Sequence, residues 1–283
     1  MFDSALDEPF NKSMDSKPIV PFLKWAGGKR WFVNNHSDLL QNVKYKRYIE
    51  PFLGSGAVFF HLKPKQSILS DLNPDLINVY KVLKSDWKRV TKKLMKHQEY
   101  HSKEYYYKIR SCKFDSNIEE AAKFIYLNRT CWNGLYRVNK NGCFNVPQGT
   151  KTTVVLDTDD FSAVSDLLQR STLMSGDFEG IVDKAGDGDL VFIDPPYTVC
   201  HNNNGFIKYN EKIFSWEDQL RLRDSLLRAK ARGAKVVVLN AAHNSVIDLY
   251  KNFGAKQILQ RKSVLSGLPK YRKTVDEFLV KSW

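Results

Sequence analysis

The chain has 283 residues, 42% of them hydrophobic, and 44 Lys and Arg against 31 Asp and Glu give a formal net charge of +13. That length and apolar content suit one large or two small globular domains rather than a disordered chain, and the basic excess favours a polyanionic partner, because phosphate neutralisation dominates non-specific nucleic-acid binding. Cys112, Cys131, Cys143 and Cys200 lack zinc-finger or disulfide-framework spacing, no apolar run reaches membrane-spanning length, and residues 1–18 lack the basic-then-apolar order of a secretion signal.

Residues 1–18 mix Asp, Ser, Lys and Pro without apolar periodicity and read as a flexible leader. Residues 21–29 then bring an apolar pair, Trp25 and a Gly27-Gly28 turn before Lys29-Arg30, with a helix expected to about Gln41. By itself this stretch also fits a loop whose Trp25 is simply core. Residues 45–51 read as a short strand, and Gly54-Ser55-Gly56 as a turn that opens a helix and lets backbone donors approach a ligand. A second strand, 67–69, leads to Ser70-Asp71, and an acid at that point of a βαβ unit accepts hydrogen bonds from ribose hydroxyls. Capping of the helix that begins at Pro74 competes for the same carboxylate.

From 74 to about 170 the βαβ rhythm stops. Val79, Val82 and Leu83 share a helical stripe, a lysine-rich stretch covers 84–113, and 118–127 reads as a further helix. These residues are expected to form an insertion, 74–170, inside a sheet domain made of 19–73 and 171–283. Within it, 136–138 and 143–146 are expected as two short strands about an Asn- and Gly-rich turn. Such a hairpin suits groove reading, since Arg pairs bidentately with guanine and Asn with adenine, although a polar hairpin needs no such role. The sheet resumes at 172–175, which lead into Gly176-Asp177-Phe178. After the next strand, 190–193, comes a polar loop, 198–210. Ser215 with Asp218 opens a long helix that Gly233 ends. A buried strand, 235–240, and a closing pair, 256–265 and 274–281, complete the sheet, with Lys270, Arg272 and Lys273 placed at the tip of the pair as phosphate contacts.

The sharpest signal is Asp194-Pro195-Pro196-Tyr197, delivered by an apolar strand to its carboxyl end, where α/β sheets place their chemistry. An ionised Asp194 only accepts hydrogen bonds, and the Pro195 carbonyl belongs to a backbone stiffened by proline. Together they can accept both hydrogens of one amino group, while Tyr197 offers a face for a base to stack on. The result is a socket for an aromatic amine.

Asp194 to Tyr197 resembles the catalytic motif of amino-directed nucleic-acid methyltransferases. Phe22 to Lys29 resembles the amino-terminal cofactor motif of the Dam family of DNA N6-adenine methyltransferases. Glu50 to Phe59 is similar to its glycine loop, and Tyr126 to Arg129 with Asn133 to Pro147 to its DNA-reading segment. The likeness runs from about Pro21 to the carboxyl end. It implies an α/β fold: a Rossmann-like S-adenosylmethionine-dependent methyltransferase sheet with a mostly helical inserted DNA-recognition domain carrying a β-hairpin. Asp194, Pro195 and Tyr197 are implied as catalytic. Trp25, Lys29, Glu50, Phe52, Gly54, Asp71, Asp177, Phe178 and Asp194 are implied as S-adenosylmethionine contacts, and Lys24, Trp132, Asn133, Leu135, Arg137 and Pro147 as contacts to double-stranded DNA.

The implied reaction methylates N6 of a flipped-out adenine within GATC. The implied enzyme is monomeric, needs no metal, touches no membrane, and works in the cytoplasm beside the nucleoid of a bacterial or phage-infected cell. Thr130-Cys131 and Thr150 depart from the aromatic, glycine or basic residues of relatives. No cysteine follows a proline, which removes the nucleophile of a cytosine-C5 enzyme. Cytosine-N4 enzymes usually carry Ser, and RNA or protein-glutamine methylases Asn, where this chain has Asp194. A catalytically silent DNA-binding regulator is the alternative from another class, and cofactor binding separates the two.

Overall fold

The computed structural model describes residues 17–199, 214–262 and 274–283. Seven strands, β1 (Arg47–Glu50), β2 (Ser67–Asp71), β3 (Ser171–Ser175), β4 (Asp189–Ile193), β5 (Lys235–Ala241), β6 (Ala255–Lys262) and β7 (Thr274–Lys281), form one sheet in the order β3-β2-β1-β4-β5-β7-β6. The first five pair in parallel, and β7 runs antiparallel between β5 and β6. Alternation along the strands explains why both faces are covered. Tyr48, Leu190, Phe192, Val237, Leu239 and Leu279 join one hydrophobic cluster, whereas Ile49, Val191, Ile193, Val236, Val238, Phe278 and Val280 join another. A parallel sheet buried on both faces is the doubly wound, Rossmann-like arrangement expected from the sequence.

The strand order reverses between β1 and β4, which pair with Ile49 opposite Val191. The carboxyl ends of these two strands therefore flank the crevice where such sheets bind ligands. Glu50 closes β1, and Asp194 directly follows β4.

The helices α1 (Arg30–His36), α2 (Asp38–Gln41), α3 (Ala57–Leu62), α4 (Pro74–Glu99), α5 (Lys103–Ser111), α6 (Asn117–Thr130) and α7 (Phe161–Leu168) precede β3, and α8 (Phe178–Val182) follows it. The single helix expected after Lys29 is two, broken at Ser37. Val79, Val82 and Leu83 of α4 are buried as their stripe predicts, and α4 kinks at Asp86 (φ −151°, ψ 50°). Most of the lysine-rich stretch is solvated, but Lys84 Nζ donates to the Ser171 carbonyl at 2.8 Å and ties α4 to the start of β3. Residues 74–170 and the sheet share a hydrophobic cluster, in which Phe22, Leu69 and Phe192 sit with Leu76, Val90, Ile125 and Phe161.

The hairpin expected over 136–146 is not a pair of strands. A single bridge, Val138 with Phe144, holds it, with Asn139 N–H donating to the Cys143 carbonyl and Asn145 N–H to the Arg137 carbonyl. The reason is local: Asn139 Oδ1 accepts from the N–H groups of Asn141 and Cys143, so the turn closes on its own side chain before a ladder develops. Residues 1–16 of the expected leader, 200–210 of the expected loop, and Lys270, Arg272 and Lys273 lie outside the described residues. Among the described residues no helix is long and apolar enough to cross a membrane.

Candidate active site

The crevice is walled by acids. Lys29, the N-cap of α1, is buried, and its Nζ lies 2.7 Å from Asp194 Oδ1, 2.7 Å from the Gly27 carbonyl and 3.9 Å from Glu277 Oε2. It also stands 4.9 Å from the centre of the Tyr197 ring. Burial pushes the Asp194 carboxyl up to about 6 against the pull of Lys29. Beside it, buried Glu50 accepts a hydrogen bond from the Tyr48 hydroxyl at 3.0 Å. Burial raises Glu50 well above the carboxylate range; Tyr48 opposes the rise, and Asp194 and Asp71 add to it by repulsion. These carboxyls sit where a cation would relieve them.

The glycine turn and the tip of β2 are locked together. Asp71 Oδ2 accepts from Gly54 N–H and Oδ1 from Asn73 N–H, both at 3.0 Å. Asn73 rather than Asp71 caps α4, accepting from the N–H groups of Asp75 and Leu76, so capping does not compete for Asp71. Burial still holds the Asp71 carboxyl above its usual value, despite these N–H donors. Gly54 has φ +48°, and a Cβ there would stand 2.7 Å from Trp25 Cδ1, so only glycine lets the turn approach that ring. Phe52 stacks on Phe178 with centroids 5.5 Å apart and meets Phe214 edge-on at 5.6 Å, an aromatic wall joining the end of β1 to α8. Asp177 is exposed. It caps α8 through Glu179 N–H at 2.9 Å and pairs with Arg221 at 3.0 Å, so its described contacts are to α8 and to the helix Trp216–Ala231.

Trp25 is half-buried and packs as the core reading expects. Its ring stacks on Tyr136 at 5.4 Å and Phe124 at 6.1 Å within the core, and it lies against Gly54. The segment that carries it is stitched to α6: Lys24 N–H donates to Asn128 Oδ1 at 2.9 Å, and Asn128 Nδ2 donates to the Lys24 carbonyl at 2.8 Å. Arg129 forks onto Asp159 at 2.6 and 2.7 Å and donates to the carbonyls of Phe22 and Val154. Tyr126, Asn128 and Arg129, part of the stretch that resembles a DNA-reading segment, are thus buried and brace it from behind.

Of the expected DNA contacts, Lys24, Trp132, Asn133, Arg137 and Pro147 are exposed, and Leu135 is half-buried. Trp132 N–H donates to the Pro147 carbonyl at 2.9 Å, and Asn133 adopts φ +55°. Lys24 packs against Gly134, where a Cβ would fall 2.5 Å from Lys24 Cδ. Lys24, Trp132 and Pro147 are thereby gathered at one surface. Arg137 Nε donates to Asn145 Oδ1 at 2.8 Å, which fixes the guanidinium.

Two residues that sequence reasoning missed complete the corner. Glu277 of β7 accepts from the Tyr197 hydroxyl at 2.5 Å and pairs with Arg261 of β6. The available signal was a glutamate at the head of the apolar run Phe278-Leu279-Val280, where a strand has no outward face for it. Among the described residues no cluster of His, Cys, Asp and Glu is placed to hold a metal ion.

The family described as D12 class N6 adenine-specific DNA methyltransferase matches residues 25–264. A Lactococcus lactis subsp. cremoris protein, Type II methyltransferase M1.LlaDCHI, is 39% identical over 249 residues, covering 85% of this chain and 87% of that protein. Type II methyltransferase M.MjaIII of Methanocaldococcus jannaschii is 36% identical over 289 residues, 94% of this chain and 99% of that protein. A Haemophilus influenzae DNA adenine methylase is 30% identical over 279 residues, 95% of this chain and 96% of that protein. With the acid-Pro-Pro-Tyr turn at the switch point of a doubly wound sheet and a family match over most of its length, the chain belongs to the D12 class of N6 adenine-specific DNA methyltransferases.

Proposed function

We propose that this chain transfers the methyl group of S-adenosylmethionine to N6 of an adenine within GATC in duplex DNA. The observation that carries the reading is Asp194, set directly beyond β4, held at 2.7 Å by Lys29 and followed by Pro195 and Tyr197. When bound, S-adenosylmethionine supplies a methyl group activated on a sulfonium. The residues present fit it: the acids Glu50, Asp71 and Asp194 suit its cationic centres, and each Asp71 oxygen keeps a lone pair for a ribose hydroxyl beyond the backbone bond it accepts. Gly54 leaves room for backbone approach beside Trp25, and Phe52 with Phe178 offers an apolar wall, Asp177 lying at its rim.

Adenine N6 is a weak nucleophile because its lone pair is conjugated into the ring. Hydrogen bonds accepted by the Asp194 carboxylate and the Pro195 carbonyl localise that pair, and Asp194, with its raised proton affinity, takes up the proton that the nitrogen sheds. Holding nitrogen and methyl in line contributes about 7–11 kcal/mol in favourable cases. Extruding the base costs a few kcal/mol, offset in part by stacking on Tyr197 at about 1–3 kcal/mol. Lys24, Trp132, Asn133, Leu135, Arg137 and Pro147 contact the duplex in this reading, with Arg137 reading a guanine. Residues 74–170 act as the target-recognition part, 19–73 and 171–283 as the catalytic part, and the enzyme works as a cytoplasmic monomer.

The test is to expose unmethylated plasmid DNA to the protein with labelled S-adenosylmethionine and to map the product. N6-methyladenine confined to GATC is expected. Modified adenines sharing no motif, or lying in RNA, would overturn the specificity. Absence of cofactor binding by calorimetry would favour a silent DNA-binding regulator.

A further inference from the structure

Glu277 is 1% exposed and has no role in the chemistry described above. Strand β7 carries it to the crevice, where it lies opposite Ala241 of β5 and Leu259 of β6. From there it touches each side chain of the base socket or that side chain's partner. Its Oε2 accepts from the Tyr197 hydroxyl at 2.5 Å and stands 3.9 Å from Lys29 Nζ, the group that holds Asp194. Its Oε1 side is taken by Arg261, whose guanidinium lies 6.0 Å from the Trp31 ring.

Resting on the adenine-methylating reading, we infer that Glu277, anchored by Arg261, is a positioning residue of the base socket. It fixes the Tyr197 ring through the phenolic hydrogen bond and divides the Lys29 charge between itself and Asp194. The charges that meet here are Lys29 and Arg261 against Asp194 and Glu277, with Glu50 beyond Asp194. Two cations thus balance two anions, and Arg261 leaves Lys29 available to Asp194. A phenol that only filled space would not need a buried carboxylate at 2.5 Å. Repulsion from Glu277 is also among the causes that hold the Asp194 carboxyl up, after burial.

Two conservative variants test this. Tyr197→Phe removes only the phenolic oxygen, and Glu277→Gln keeps the shape while removing the charge. For Tyr197→Phe, kcat on a duplex oligonucleotide is expected to fall about tenfold, the scale of one hydrogen bond to a charged group, with the S-adenosylmethionine Kd unchanged. For Glu277→Gln, kcat at its plateau is expected to fall by a similar factor as the phenolic bond loses its charged acceptor, and the acid limb of the kcat–pH profile to move to lower pH, because Asp194 loses a repelling neighbour. In the double variant the two kcat losses should not multiply, since both act through one bond. A purely structural Glu277 would lower thermal stability and leave the acid limb in place. Wild-type kcat for Tyr197→Phe, an unmoved acid limb for Glu277→Gln, or fully multiplicative losses would each overturn the inference. Should Glu277→Gln not fold, Tyr197→Phe decides alone. If the wild type run alongside transfers no methyl group to adenine, the reading beneath the inference falls and takes the inference with it.

Discussion

Replacing Asp194 by Asn should abolish methylation and stabilise the fold. The ordinary carboxyl value for Asp194 is 3.8, and in the folded chain burial holds it at about 6. Below 3.8 the group is protonated in both states and contributes nothing to pH dependence. Between 3.8 and 6 the unfolded chain gives up this proton while the folded chain keeps it, so stability falls as pH rises; above 6 the loss is complete. At about 1.4 kcal/mol per tenfold difference in proton affinity the loss reaches roughly 3 kcal/mol. With 18% of the side chain exposed, solvent screening trims it to about 2 kcal/mol.

The amide introduced by Asp194→Asn cannot ionise and escapes that loss, so the variant should be about 2 kcal/mol more stable than wild type at pH 7.5 and equal to it near pH 3.8. On a chain of this length the gain corresponds to roughly 4 °C in Tm. Urea unfolding of both proteins at several pH values between 4 and 7.5 measures the difference, in which titrating groups remote from Asp194 cancel. A variant less stable than wild type at neutral pH, or a gain that does not shrink towards pH 4, would refute the claim that the socket stores its carboxylate at a cost in folding.

The same titration predicts that wild-type kcat falls about tenfold for each pH unit below about 6, as the accepting carboxylate is lost. Gly54→Ala places a Cβ 2.7 Å from Trp25 at φ +48°; S-adenosylmethionine affinity measured by calorimetry should fall about tenfold through some 1–2 kcal/mol of backbone strain, with DNA binding retained. Arg129→Met leaves the Asp159 side chain, 7% exposed, without its cation and the Phe22 and Val154 carbonyls without the guanidinium donors, and chemical denaturation should show a loss of about 3–5 kcal/mol. Arg137→Ala should cost about 1–3 kcal/mol of discrimination at one guanine, read as more equal methylation rates on the cognate duplex and one substituted at that base.

What was legible in the sequence is what is contiguous. The strands announce themselves by alternation, the Gly54 turn by its glycines, and Asp194 to Tyr197 by four adjacent residues of unusual chemistry. The capping pair Ser215 and Asp218 is local too, and it forms as expected. What was hidden depends on groups far apart in the chain. Glu277 meets Tyr197 across 80 positions, and Asn128 meets Lys24 across 104. Asp71 carried two local readings that the spacing could not separate, and the position of Asn73 beside Pro74 removes the capping one. The hairpin failed for the opposite reason: its turn satisfies itself, so strand propensity on either side had too few cross-strand bonds to act through.

These cases share a cause. A crevice at a switch point is assembled from strand ends, and each strand contributes only the residue or two at its tip. A motif therefore records the tip that does the chemistry, while the residue that steadies it belongs to another strand and looks, in its own neighbourhood, like a charge at the head of a core run. Glu277 is such a residue. At this buried strand position the acid is met by two cations and a phenol, Arg261, Lys29 and Tyr197. An ionisable residue inside an apolar edge-to-core strand is accordingly a signal to search the ends of the neighbouring strands for the group it serves.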